Sequence, residues 1–565
     1  MDSATACRKF LDYFRSKGHK IIPSDSLLPS DRSVLLTTAG MQQFKPYFSD
    51  VEKAQQVFGA KRVASVQKCF RTSDLDSVGD ESHLTFFEML GNFSFGDYFK
   101  EEAIGFGWEF LTKEMRLPKE KMAVTIFKGD NEVPFDEEAL KAWKKIGISE
   151  SIISKCSRED NFWGPTGEEG PCGPTTEIYV NGCEVWNLVF NEYYMDRQKK
   201  LTKLKYRGVD TGMGLERLAM VLQNKGNVFE TDLFEPIMKK INELGAGNCK
   251  ESMKRVIADH SKGAVFLTSE GIMPSNVEQG YILRRIMRRL IRCAKLAGLK
   301  EGYFEQLAGA VVSIYKSRYP ELEKNRQEII KVFSEEKQKF EKSLDNGTRQ
   351  FERLTKDKKI VSGKDAFLLY QSFGFPLEVT KDLACEKGIS VDEKGFEEEL
   401  KSHQDVSRAG VEKKFGGVGS FGEQVVRQHT AAHLLHTALR KVLGEHVQQA
   451  GSDMTPERLR LDFTHPKKMT PEEIKKVEGI VNEQIKAALP VKMEKMKYED
   501  AIKSGALGFF KEKYPAEVNV YTIGNFSKEI CAGPHVKNTS EIGSFKIKKE
   551  ESTSAGVRRI KAVVG

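Results

Sequence analysis

No apolar run in this 565-residue chain approaches the roughly 20 residues that a membrane-spanning helix needs. The opening residues MDSATACRKFLDYF carry acidic and polar side chains where a secretory leader requires a basic end and an apolar stretch, so the expected compartment is the cytoplasm. Cysteine is scarce and scattered: nine residues, an odd number without framework spacing, exclude a disulfide scaffold and fit reduced thiols. Internal repeats and low-complexity tracts are lacking as well. Charge of one sign is modest, since +8 over this length permits a polyanionic partner without demanding one. What is present, 39% hydrophobic and 30% charged residues, is a globular composition with room for roughly three or four domains.

Histidine is sparse too, yet three of the ten fall within eight residues, His429, His433 and His436, in HTAAHLLH. A His-x3-His pair at i and i+4 of a helix sets two imidazoles on one face. About a hundred residues later, the Cys531–His535 pair lies on a tight Gly-Pro segment that can close a tetrahedral shell with them. That is the ligand type and count Zn²⁺ favours, so His429, His433, Cys531 and His535 are expected to hold one ion. His436, one turn past His433, is either a supporting group behind that shell or simple packing.

Residues 1–240 mix Phe-rich, Gly-punctuated short segments with amphipathic helices, an α+β texture without βαβ alternation. Residues 241–400 read as helical. In YILRRIMRRLIR (281–292), Leu283, Ile286, Met287, Leu290 and Ile291 recur at helical spacing, while Arg284, Arg285, Arg288, Arg289 and Arg292 fill the opposite face. Such a face is either solvated or suited to RNA phosphates. Residues 401–424, rich in Gly and Lys, read as a linker, and 425–565 as a compact α+β unit holding the metal quartet.

Two segments of the first half carry a different chemistry. One is Arg71 followed by HLTFFEMLGNFSFG (83–96); the other is VDTGMGLERL (209–218). Gly212 and Gly214 either let backbone approach a ligand or make a plain strand-to-helix turn. Arg217 then sits near the start of a helix. Two fixed arginines on either side of a nucleotide can clamp a triphosphate and neutralise charge developing on its α-phosphate.

Together these segments resemble motifs two and three of the class II aminoacyl-tRNA synthetases, and in detail the alanyl-tRNA synthetase family. The resemblance rests on TFFEMLGNFSFGDYF (85–99), DNFW (160–163), GPCGPTTEI (170–178), WNLVF (186–190), VDTGMGLERLA (209–219) and VIADHSKGAVFLTSEGIMPSN (256–276). YILRRIMRR, RQHTAAHLLHTALR and AGVRRIKAV continue it collinearly to the end of the chain. It implies an α+β protein with an antiparallel-sheet catalytic domain (1–240), a helical domain recognising the tRNA acceptor stem (241–400) and a zinc-dependent editing domain (425–565). The implied activity is ATP-dependent activation of L-alanine, transfer to the 3′ end of tRNA(Ala), and hydrolysis of Ser- or Gly-tRNA(Ala).

Residue by residue, the resemblance implies that Arg71 holds the ATP α-phosphate and Arg217 the triphosphate tail. Glu88 and Trp163 would line the cavity, and Asn187, Val189 and Asp210 would surround the amino acid. Alanine offers one methyl group, so most of its binding must come from its charged groups, and Asp210 is the natural ammonium partner. Glu177 is either a carboxylate on the side of the Mg²⁺ that accompanies ATP or a structural ion-pair member. A single small group changes binding by only about 1–3 kcal/mol, so glycine and serine would be mischarged without a second, hydrolytic site. There the zinc would either orient the mischarged end or activate water. Gln449 matches a polar position of that pocket or is an exposed turn residue. Asn276 matches the position that reads a G·U pair in the stem, and the arginine face would take its phosphates.

Three departures stand out. Gln371 occupies the position where the family commonly has an Asp that partners Asn276, so its charge and length differ. The stretch 375–429 is shorter than the family's usual connection, which includes a β-barrel. The chain also stops at Gly565, without the family's usual dimerising C-terminal domain, and is expected to be monomeric.

Overall fold

The computed structural model describes every residue except Arg32, Asn248, Asp357, 404–421, 509–516 and Ala555, and of Ser554 only the backbone. Most of the expected linker therefore lies outside the described residues. They form two compact units, Met1–Glu397 and Glu398–Gly565. Residue 240, the expected end of the catalytic domain, falls inside the helix Glu235–Ile241, and the sheet and the helices after it share the first unit. None of the described helices is long and apolar enough to cross a membrane.

The first unit is built on a sheet of nine strands among the described residues: β1 (Lys20–Ile21), β2 (Arg62–Phe70), β3 (Phe86–Phe95), β4 (Met122–Phe127), β5 (Ile153–Cys156), β6 (Phe162–Trp163), β7 (Gly170–Val180), β8 (Cys183–Met195) and β9 (Leu201–Gly214). They run in the order β1-β2-β3-β9-β8-β7-β4-β5, with β6 paired to β7. Only the edge pairs β1–β2 and β4–β5 are parallel; the centre is antiparallel. Central strands are covered on both faces: nine of the ten residues of β3 are buried, Glu88, Asn92 and Ser94 among them. Phe10, Phe14, Phe110 and Trp186 pack together in one cluster, and Phe44, Phe93 and Phe95 in another.

The helices behind the sheet correct one expectation. In the helix Glu278–Leu296, Arg288, Arg289 and Arg292 are buried rather than offered to RNA. Arg288 Nε meets Glu336 Oε1 at 2.7 Å, Arg289 Nε meets Asp382 Oδ2 at 3.3 Å, and Arg292 Nη2 meets Glu386 Oε1 at 2.7 Å, while Arg285 is paired with Glu378. Glu378, Asp382 and Glu386 recur every four residues along 377–386, the helical period, so they present one acidic edge. The "polar face" is an internal ladder of ion pairs, and only Arg284 lacks a place in it. The long helix Arg326–Leu354 likewise spends its apolar face inside the unit, burying Val332, Phe333, Phe340, Leu344 and Phe351. Two short strands, β10 (Ile360–Val361) and β11 (Ser390–Val391), pair beside these helices.

The second unit carries an antiparallel sheet ordered β12 (Gln449–Thr455), β13 (Arg458–Thr464), β18 (Val557–Val564), β17 (Phe545–Ser554). A smaller one is ordered β14 (Val491–Lys497), β15 (Glu517–Ile523), β16 (Ser527–Ile530). The helices Glu423–Leu443 and Pro471–Lys486 share its core through Leu434, Leu435, Leu439, Val477 and Val481, packed with Leu461, Phe463 and Ile560 from the larger sheet. The second helix begins with a capping box, Thr470 with Glu473, which satisfies two of its free N–H groups.

Candidate functional site

A cleft of about 330 Å³ opens where β3, β7, β8 and β9 run side by side. Arg71, just past the end of β2, lines it, its Nε donating to Thr38 O at 3.1 Å and its guanidinium 5.0 Å from the Phe87 ring. Arg217, in the first turn of the helix Leu215–Leu222, lines it too and donates from Nη1 to Glu184 Oε2 at 2.9 Å. Trp163, Asn187, Val189 and Asp210 complete the expected set.

Strand register places these side chains. Val189 lies opposite Asp210, and Asn187 opposite Gly212, across β8 and β9, so residues two apart share the cleft face. Asp210 is 4% exposed, and burial alone pushes its carboxyl up to about 8. Glu177 is pushed up to about 7 by burial, with the charge of Glu184 adding to it. It accepts hydrogen bonds from Tyr179 Oη at 2.8 Å and Asn187 Nδ2 at 3.2 Å, while Asn187 Oδ1 is buried without a partner. Gly212 packs closely under Met89, whose Sδ would lie 2.9 Å from a Cβ placed there.

Glu88 does not join this set. Alternation along β3 puts Phe87 and Met89 in the cleft and Glu88 on the opposite face. There its fully buried carboxylate accepts Arg318 Nη2 at 2.6 Å and Tyr319 Oη at 2.8 Å. Burial and the charge of Arg318 oppose one another at this carboxyl, and burial prevails, raising it. Phe87 and Met89, with Glu184 and Glu216, are among the lining residues that motif reading missed; the period-two rule applied to β3 was the signal for the first two.

The metal quartet converges. The ligand atoms of His429, His433, Cys531 and His535 all lie within 4.8 Å of one another, with Cys531 Sγ 3.3 Å from His429 Nε2. Each imidazole has its Nδ1 engaged elsewhere: His429 with Pro534 O at 3.1 Å, His535 with Thr430 Oγ1 at 3.2 Å, and His433 with Glu529. Each therefore presents Nε2 inward, and His535 Nε2 is buried with no partner of its own. Burial opposes ionisation of the Cys531 thiol, but the surrounding histidines, His429 foremost, outweigh it and hold the thiol well below its usual range. Glu529 also meets His436 Nδ1 at 2.9 Å, which makes His436 a supporting group, as one of the two expectations had it. Glu529 itself escaped sequence reading. These residues fit a bound metal ion.

Of the remaining expected residues, Gln449 is half-buried at the start of β12 and donates to Ser452 Oγ at 3.1 Å. Asn276 is exposed just before the arginine helix, Arg284 is half-buried on it, and Gln371 is exposed on the helix Gly363–Phe373.

Residues 6–440 match the family model "tRNA synthetases class II (A)", and 518–561 match "Threonyl and Alanyl tRNA synthetase second additional domain". The antiparallel sheet and the cleft with its two arginines thus lie in a class II synthetase framework. Over 99% of its length the chain is 46% identical to 98% of the alanine–tRNA ligase of Borreliella afzelii. It is 44% identical to that of Treponema pallidum (98% of this chain, 97% of the relative) and 40% identical to that of Thermotoga maritima (100% and 80%). The chain belongs to the alanine–tRNA ligase family.

Proposed function

We propose that the chain activates L-alanine with ATP, transfers it to tRNA(Ala), and hydrolyses tRNA(Ala) mischarged with serine or glycine, working in the cytoplasm. The observation that carries the first part is Asp210: a buried carboxylate with no charged partner, facing Val189 across the strands in a cleft that also holds two arginines. Such a group gains most from a ligand that brings an ammonium, and the small apolar surface beside it suits one methyl. Arg71 and Arg217 would hold the phosphates of ATP, Trp163 would close the side of the pocket, and Asn187 would offer its partnerless Oδ1. Glu177 is the proposed protein carboxylate on the side of the Mg²⁺ that comes with ATP.

For the second unit we infer a zinc site made by His429, His433, Cys531 and His535, with Gln449 in the hydrolytic pocket. When bound, zinc would supply Lewis acidity beside an ester. The chain's own residues hold the imidazoles in one tautomer and favour ionisation of the thiol. Asn276, Arg284 and Gln371 are proposed to meet the acceptor stem. Pyrophosphate exchange with each of the twenty amino acids tests the activation reading: alanine should drive it best, serine and glycine less well. Exchange driven best by any other amino acid overturns it.

A further inference from the structure

The face of β3 turned away from the cleft carries three buried polar residues, Glu88, Asn92 and Ser94. Two of them are tied locally. Asn92 donates from Nδ2 to Tyr98 Oη at 2.8 Å and accepts from Thr211 Oγ1 at 2.7 Å, and Ser94 Oγ donates to Tyr98 O at 2.7 Å. Glu88 instead reaches out of the sheet, to Arg318 and Tyr319, which follow the helix Tyr303–Tyr315. Stability alone does not account for a charge there, because apolar side chains of similar volume often replace a buried ion pair without loss. Arg318 even keeps Nε and Nη1 buried without a partner among the described residues. What the pair does supply is a fixed position. The residues on either side of Glu88 line the cleft: Phe87, whose ring lies 5.0 Å from the Arg71 guanidinium, and Met89 over Gly212. The Glu88 N–H donates to Glu216 Oε2 at 3.2 Å, and Glu216 immediately precedes Arg217 on its helix. Each arginine of the cleft is thus one link from Glu88, Arg71 through the Phe87 ring and Arg217 through Glu216.

We propose that Glu88, gripped from behind by Arg318 and Tyr319, is a positioning residue that sets where Arg71 and Arg217 meet the phosphates of ATP. The inference rests on the activation reading of the cleft and adds to it a role for a side chain outside the cleft. Misplacing a positioning group by about 1 Å costs on the order of 100-fold in rate, so a rigid anchor behind the strand matters to the reaction. Asp210 and Val189 are placed differently, by the register of β8 with β9. Loss of the anchor should therefore be felt by ATP and not by alanine.

The test is pyrophosphate exchange by the full chain, with ATP and amino acid varied separately. Tyr319→Phe, which removes one hydroxyl and keeps the ring, should raise KM for ATP about 3- to 10-fold. Glu88→Gln combined with Arg318→Met removes the ion pair without stranding either charge. It should lower kcat/KM for ATP by about 10- to 100-fold, while KM for alanine stays within about two-fold of wild type. Its denaturant midpoint should hardly move. A merely structural anchor gives another pattern, in which kcat falls with the folded fraction and both KM values stay put. That pattern, or a wild-type KM for ATP in both variants, overturns the positioning role and leaves the activation reading standing. Exchange driven best by another amino acid overturns the activation reading alone, because KM for ATP is then compared with that amino acid in place of alanine.

Discussion

Lys262 Nζ donates to Glu216 Oε1 at 2.7 Å, with both side chains essentially sealed from solvent. Glu216 also accepts the backbone N–H of Glu88 at 3.2 Å, so one carboxylate ties β3 to the helix that carries Arg217. Lys262→Met should leave Glu216 buried and unpaired, at a cost of about 3–5 kcal/mol. Denaturant unfolding should show the loss as a lower midpoint at unchanged slope. An unshifted midpoint would mean the pair contributes nothing.

Asp210 gives opposite signs for stability and activity. Its carboxyl is raised from 3.8 to about 8 by burial, so between those pH values the unfolded chain releases a proton that the folded chain keeps. The associated stability is complete below pH ~4 and is lost as pH rises through 8. Asp210→Asn, which cannot ionise, should therefore be more stable than wild type at pH 8, by roughly 2–5 kcal/mol, while alanine-dependent exchange collapses. Equal pH profiles of stability for the two proteins would refute the shift. In the wild type, the KM for alanine should fall as pH rises from 7 towards 8, because the ammonium needs the ionised partner.

Cys531→Ser should lower the zinc content of the purified protein and let Ser-tRNA accumulate. Alanine exchange should be unaffected, since the cleft belongs to the other unit. Glu529→Gln should keep the four ligands but weaken metal affinity by about 10- to 100-fold, because His433 loses the carboxylate that orients it. Competition with a chromogenic chelator measures both. Wild type purified without metal would contradict this account.

The buried arginines carry a fourth expectation. Arg289→Gln should cost about 1–3 kcal/mol of stability, since part-exposed Asp382 keeps Arg292 at 3.9 Å, and should leave the salt dependence of tRNA binding unchanged. A shallower salt slope would return this arginine to the RNA interface. With the apolar stripe of the helix Arg326–Leu354 also used internally, no seam of that helix is left for a partner, and light scattering should report a monomer.

What could be read in advance followed from short-range periodicity. His429 and His433 are one helical turn apart, so their common face was legible, and the long strings around Arg71 and Arg217 identified the family. Glu529 was not legible, because a strand about a hundred residues away supplies it and nothing local marks its direction. The arginine helix was misjudged for a related reason: amphipathicity reports which side is charged, not whether water or a carboxylate covers it. The acidic residues 378, 382 and 386 were the missing half of that pattern. Glu88 was assigned from its motif alone, and the pleat of β3 turns it away from the cleft that its neighbours line.

The engaged Nδ1 atoms of the quartet's three histidines have a consequence for how a metal bound there would be exchanged. Their anchors, a backbone carbonyl, a threonine hydroxyl and a buried carboxylate, belong to the protein and not to the ion, and the core of Leu434, Val477, Leu461 and Ile560 is built from side chains other than the four of the quartet. The vacant shell should therefore hold its shape. Stripping with a chelator should yield a folded, reloadable apoprotein, unlike a zinc finger, whose fold dissolves when its ion leaves.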